Sequence, residues 1–235
     1  NQAVRSNRDA TAVDGELVEK WETPGDGTEI ILHVRQGVNW HDKPPLGGRA
    51  LTADDIAFNL MRISGKLDPA KKASFQRAST LPNLDSATAV DERTVRVKLS
   101  RPHSSFINGL SDFRNTLVSR QQAEASSGFT KISEFVGTGP FIIESFEDKV
   151  EAKFRANPQY WETGKPYLDG LRWIWHGDRL SSLSAFAQGQ FDYFESPSKT
   201  EIDSLGKLAK DARKEEWPIA VWYHFRFNTT RPPFD

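Results

Sequence analysis

The stretch that most limits how this chain folds is Val136-Gly137-Thr138-Gly139-Pro140-Phe141. Two glycines around a threonine, followed by a proline, cannot sit inside a helix or a central strand. The stretch therefore reads as a crossing between two differently built segments, where the backbone is expected to take a conformation that side chains would forbid. The segment before it is rich in turns. The segment after it is rich in strands and holds five of the seven tryptophans, so aromatic surface is concentrated there.

A length of 235 residues is enough for one large domain or two small ones with a real core. With 37% apolar and 27% charged residues the composition is that of a globular chain. A formal net charge of -1 argues against a nucleic-acid surface, which needs clustered excess Lys and Arg. No apolar run approaches the roughly 18 residues of a membrane span. The absence of cysteine excludes disulfides, thiol catalysis and thiolate-bound metals.

In chain order, residues 1–28 read as polar and turn-rich. Glu29–Arg35 reads as a strand. Thr52 and Asp55 form a capping-box variant ahead of Ile56, Leu60 and Ile63, which share one helical face. Residues 64–88 read as irregular, with a short basic helix opening at Asp68-Pro69. Thr94–Leu99 alternates strictly and is a half-buried strand. Short helices are expected at Ser105–Leu110 and Ser119–Ser126.

Beyond the crossing, Phe141–Phe146 and Val150–Ala156 form a hairpin, and Leu168–Trp175 is a further strand. Asp178 caps a helix whose Leu180, Leu183 and Ala187 share a face, with Gly189 as its C-terminal cap. Phe191–Phe194 reads as a short strand, Ser198–Leu208 as a helix and 220–227 as a final aromatic strand. That last strand needs partners, which points to a piece of something longer. Helices alternating with strands imply an α/β layer.

Seven motifs then stand in one order. They are Leu17–Glu22, Leu32–Asp42, Leu51–Phe58, Gly137–Phe141, Arg155–Trp161, Gln188–Asp192, and Phe227-Asn228-Thr229 with Pro232-Pro233-Phe234. Together they resemble the family 5 extracellular solute-binding proteins, the peptide, oligopeptide and nickel receptors of bacterial ABC importers. The resemblance implies a mixed α/β, type II periplasmic-binding-protein-like fold of about twice this length. Residues 1–136 would be an accessory α+β domain and 137–235 part of the first ligand-binding lobe, with the second lobe absent. One departure is the loop Lys43–Arg49, which replaces the short turn usual in the family.

The resemblance also implies a periplasmic or extracellular, monomeric, non-enzymatic receptor that hands peptides to a membrane permease and uses no cofactor. A signal peptide is not within this chain, and lipid anchoring would be compatible with it. Nickel chelates and oligosaccharides are the alternative ligands. A carbohydrate-active enzyme with a carboxylate pair is the alternative of another class.

Candidate ligand contacts are Trp222, Tyr223 and Phe225, on a strand where one face packs in the core and the other looks to the cleft. Each is also readable as core packing, since aromatics carry large apolar area. Arg114 is either an anion contact or a surface arginine. Asp54 and Asp55 diverge by about 100° on a helix, so they read as first-turn acids facing the dipole, not as a catalytic pair. The five histidines have no metal-ligand spacing.

Overall fold

The computed structural model describes residues 1–9, 11–67, 77–126, 128–129, 131–195, 198–216 and 227–233. The proposed basic helix after Asp68 and the strand at 220–226 lie outside them.

Residues 1–28 hold the expected turns, with positive φ at Gly25 and Gly27, and also three short strands that were not expected. β1 (Val4–Ser6) pairs antiparallel with β2 (Val13–Gly15). β3 (Val18–Glu22) pairs with β4 (Glu29–Val34). Three-residue strands are too short to show alternation, and β3 buries only Val18 fully, so polar composition hid them. A four-stranded antiparallel sheet has the order β3-β4-β6-β5, with β6 (Thr94–Leu99) central and β5 (Leu84–Ala89) at the edge. β5 falls in the stretch read as irregular. Its small residues lack strand propensity, and pairing with β6 supplies what its sequence does not.

β4 turns Ile30, Leu32 and Val34 inward, and β6 turns Val95, Val97 and Leu99 inward. α1 (Ala53–Ile63) packs on β5 and β6 and buries Ile56, Leu60 and Ile63. Each fully buried side chain of this size contributes about 1.5–3 kcal/mol, so this stripe and the two strand faces dominate the stability. The cluster runs from Ala3 to Val136, with Trp161 packed against it from the later segment.

α1 starts as its sequence suggests, but its two acids part company. Asp54 is exposed, with Arg120 Nε 4.0 Å away. Asp55 is 3% exposed and turned inward. Its carboxylate accepts from Thr52 N–H at 3.1 Å, Trp40 Nε1 at 3.2 Å, and Arg49 Nη1 and Nη2 at 2.8 and 2.7 Å. Arg49 sits in the very loop that departs from the family pattern.

Two short helices follow, α2 (Phe106–Leu110) and α3 (Arg120–Ala125), the second capped by Ser119 Oγ accepting from Gln122 N–H. After the crossing come β7 (Phe141–Glu147), β8 (Glu151–Ala156) and β9 (Gly170–Ile174), an antiparallel sheet in that order. One face carries the ion pairs Arg172–Glu151 and Arg155–Glu144. The opposite face carries Phe146, Ala152 and Trp173 in register.

α4 (Arg179–Ala187) is capped by Asp178, whose Oδ1 accepts from Ser181 N–H at 2.8 Å, and Gly189 has φ 73°. The expected apolar stripe is not the buried one, because Leu180 is exposed and Ala185 is the residue that is covered. Phe191–Phe194 is irregular and not a strand. α5 (Lys199–Leu208) opens with a full capping box from Ser198 and Glu201. No described helix is long and apolar enough to cross a membrane.

Candidate ligand-binding site

The crossing is held by a histidine rather than by glycine conformation. Neither Gly137 nor Gly139 has a positive φ, and a Cβ on Gly139 would meet nothing within 4 Å. The expected forbidden backbone is therefore absent. Buried His41 does the work instead. Its Nε2 lies 2.9 Å from Gly139 O, its Nδ1 accepts from Gly137 N–H at 3.3 Å, and the His41 backbone N–H donates to Gly137 O at 2.7 Å. A ring that donates at one nitrogen and accepts at the other is the neutral form. Burial, with the positive charges of Lys43 and Arg155 behind it, holds its pKa below the ordinary histidine value despite the Gly139 carbonyl. Asn157 Nδ2 donates to the same carbonyl at 3.0 Å.

Beside β1 lies an open cavity of about 730 Å³, within the range of small-ligand sites. Its wall draws on Gln2, Arg5, Ser105, Asn108, Asp112 and Phe113, among others. α2 can form one side because Phe106 and Leu110, one turn apart, are buried and anchor it, which leaves Asn108 toward the opening. Gly109 lets α2 press onto the turn at Ala78–Thr80, since a Cβ there would come within 1.8 Å of Thr80 O. Buried Asn115 clamps that contact, its Nδ2 donating to Thr80 Oγ1 at 2.8 Å and to Gly109 O at 2.9 Å.

Asp112 and Phe113 line the cavity, and the adjoining Arg114 holds Asp112. Asp112 Oδ1 accepts from Arg114 N–H at 2.9 Å and from Nε at 3.0 Å, and Oδ2 from Nη2 at 3.2 Å. Partial burial would raise the Asp112 carboxyl, but the Arg114 hydrogen bonds and charge outweigh it and hold the pKa below the usual carboxylate range. The Arg114 guanidinium lies 4.7 Å from the Phe113 ring centroid, and Phe113 is 73% exposed. Across the cavity, Arg5 Nη1 is 2.9 Å from Glu162 Oε1. Glu162 also pairs with Lys165 and accepts from Tyr160 Oη at 3.1 Å. Burial above all pushes the Tyr160 phenol up to about 12.

Of the four residues singled out in the sequence, Arg114 does not itself line the cavity but is paired with Asp112, which does. Trp222, Tyr223 and Phe225 lie outside the described residues. Gln2, Asn108 and Asp112 were missed, because isolated polar residues in loops carry no periodic signal. Among the described residues the cavity wall holds a single carboxylate, Asp112, already bound to arginine. Among the described residues, no group of three or more His, Asp or Glu could hold a metal ion.

The family profile for bacterial extracellular solute-binding proteins, family 5 Middle, matches residues 12–235. The chain belongs to that family, whose members are solute-binding proteins. It is 28% identical to the dipeptide-binding protein of Escherichia coli (strain K12) over 249 aligned residues, covering all of this chain and 46% of that protein. The dipeptide-binding protein from Pseudoalteromonas sp. SM9913, solved with Met-Leu, superposes with a TM-score of 0.78 at 22% identity, over 99% of this chain and 48% of that one. The PBP AgaA from A. tumefaciens R10, solved with agropinic acid, is 27% identical with a TM-score of 0.75, over 88% of this chain and 39% of that one. The fold is thus part of a type II periplasmic binding protein, of mixed α and β structure. The chain spans about half the length of the relatives it matches.

Proposed function

We propose that the protein is the substrate-binding component of a bacterial ABC importer and captures peptides. The observation that carries this is the alignment of the whole chain with a dipeptide-binding protein. Residues 1–136 act as the accessory domain and 137–235 as part of the first ligand-binding lobe. The 730 Å³ cavity forms one wall of the ligand site. Arg114 shapes its rim, and Trp222, Tyr223 and Phe225 contribute ligand contacts from the last aromatic strand.

The receptor works without chemistry on its ligand, as a monomer in the periplasm or outside the cell. A peptide bridging two lobes favours the closed state because it touches both only there. The closed receptor is then recognised by a membrane permease. A second reading, a small organic acid, is favoured by the likeness to the agropinic acid complex.

Calorimetric titration of the full-length protein with di- and tripeptides, agropinic acid, nickel–histidine and an oligosaccharide separates these readings. The peptide reading expects a Kd of about 1 μM or tighter, roughly -8 kcal/mol, for peptides alone. Tight binding of another class with none for peptides overturns it.

A further inference from the structure

Among the described residues of the cavity wall, every side chain whose charge is fixed is paired within the protein. Arg5 is paired with Glu162 at 2.9 Å, and Asp112 with Arg114 through two side-chain contacts of 3.0 and 3.2 Å. Arg77 acts electrostatically on Asp112 but is not one of the lining residues. What the described wall leaves for a ligand is neutral. Gln2, Ser105 and Asn108 offer donors and acceptors, and Phe113 offers an aromatic ring with a guanidinium on one face. His103 also lines the wall.

A charged group entering such a wall loses water without gaining a free counter-charge, whereas an amide or phenol exchanges water for equivalent hydrogen bonds. We infer that this cavity receives an uncharged polar or aromatic side chain of the bound peptide and discriminates against acidic and basic ones. This rests on the peptide reading of the protein. Discrimination then comes from two internal ion pairs that neutralise the wall in advance, a repulsive element built by desolvation.

The test uses the full-length protein and alanine tripeptides carrying Gln, Tyr, Glu or Lys at the first, second or third position, titrated by calorimetry. At one position Gln and Tyr are expected to bind at least tenfold tighter than Glu and Lys. Asp112→Asn releases the charge of Arg114 and is expected to improve the Glu peptide at that position about tenfold relative to Gln. Arg114→Gln exposes the Asp112 carboxylate and is expected to improve the Lys peptide instead. Circular dichroism confirms that each variant is folded, and either variant alone decides the question.

Equal binding of Glu, Lys and Gln at every position overturns the inference while leaving the peptide reading intact. So do variants that leave the ratios unchanged. Failure of all peptides to bind removes the peptide reading, and the inference falls with it.

Discussion

Asp55→Ala is the substitution from which the structure predicts most. The Asp55 carboxylate is 3% exposed and accepts from the Thr52 backbone, the Trp40 indole and both terminal nitrogens of Arg49. Truncating it leaves a buried indole N–H and a helix-cap N–H without their acceptor and strips Arg49 of its counter-charge, leaving it only Ala50 O and Gln121 Oε1. Removing one partner of a buried ion pair costs about 3–5 kcal/mol, and the lower end applies because the Arg49 side chain is 29% exposed and can draw on water. Loss of the cap adds about 1 kcal/mol, not fully independent of the first contribution. The expected loss is therefore about 3–4 kcal/mol, a large share of the 5–15 kcal/mol that holds a typical domain.

Urea unfolding followed by tryptophan fluorescence measures this loss, with Trp40 itself reporting on the region. A Tm lower by roughly 10 °C should accompany it. Asp55→Asn keeps the volume and one acceptor and should lose about half as much. A loss below about 1 kcal/mol for Asp55→Ala would show that the buried cluster does not hold α1 to its loop, and would refute the reasoning.

Three further outcomes are expected. Gly109→Ala places a Cβ within 1.8 Å of Thr80 O, so α2 must move off the turn; a loss of about 1–3 kcal/mol and a weaker ligand site are expected, read by thermal unfolding and calorimetry. The depressed pKa of His41 means that, below about pH 6.5, the unfolded chain takes up a proton that the folded one refuses. Stability should therefore fall with falling pH through that window, by up to about 1.4 kcal/mol per pH unit, and His41→Gln should flatten the slope; the same slope in both proteins would contradict this. Spectrophotometric titration should show one phenol ionising only near pH 12, and Tyr160→Phe should remove that late step.

Much of the fold was legible because periodicity and capping are local. Ile56, Leu60 and Ile63 mark α1 at helical spacing, and Thr94–Leu99 marks β6 by alternation. The helix read at Ser198–Leu208 is α5, opened by the Ser198–Glu201 capping box. What stayed hidden depends on tertiary partners. β5 has no strand signal of its own and exists because β6 lies beside it. The buried role of Asp55 depends on Arg49 and Trp40, which reach it from a loop that the helix pattern does not describe. In α4, periodicity singled out Leu180, which the structure leaves exposed.

The site was legible only in part, and for the same reason. The motif order pointed to the solute-binding family, but the cavity wall is assembled from residues more than 100 positions apart, such as Gln2 Nε2 donating to Ser111 O at 3.2 Å. At Val136–Phe141 the expected backbone is not found. The glycines of the crossing adopt ordinary backbone, and the pairing with His41 across nearly 100 residues fixes it.

Native mass spectrometry of the full-length protein, purified without denaturant from its own or a related bacterial host, tests the receptor assignment most directly. The expected result is a 1:1 complex that releases short peptides on collisional activation and exchanges them for added dipeptide. A protein that carries no small molecule and takes up no added peptide, or one that converts a glycan into shorter products, would contradict it.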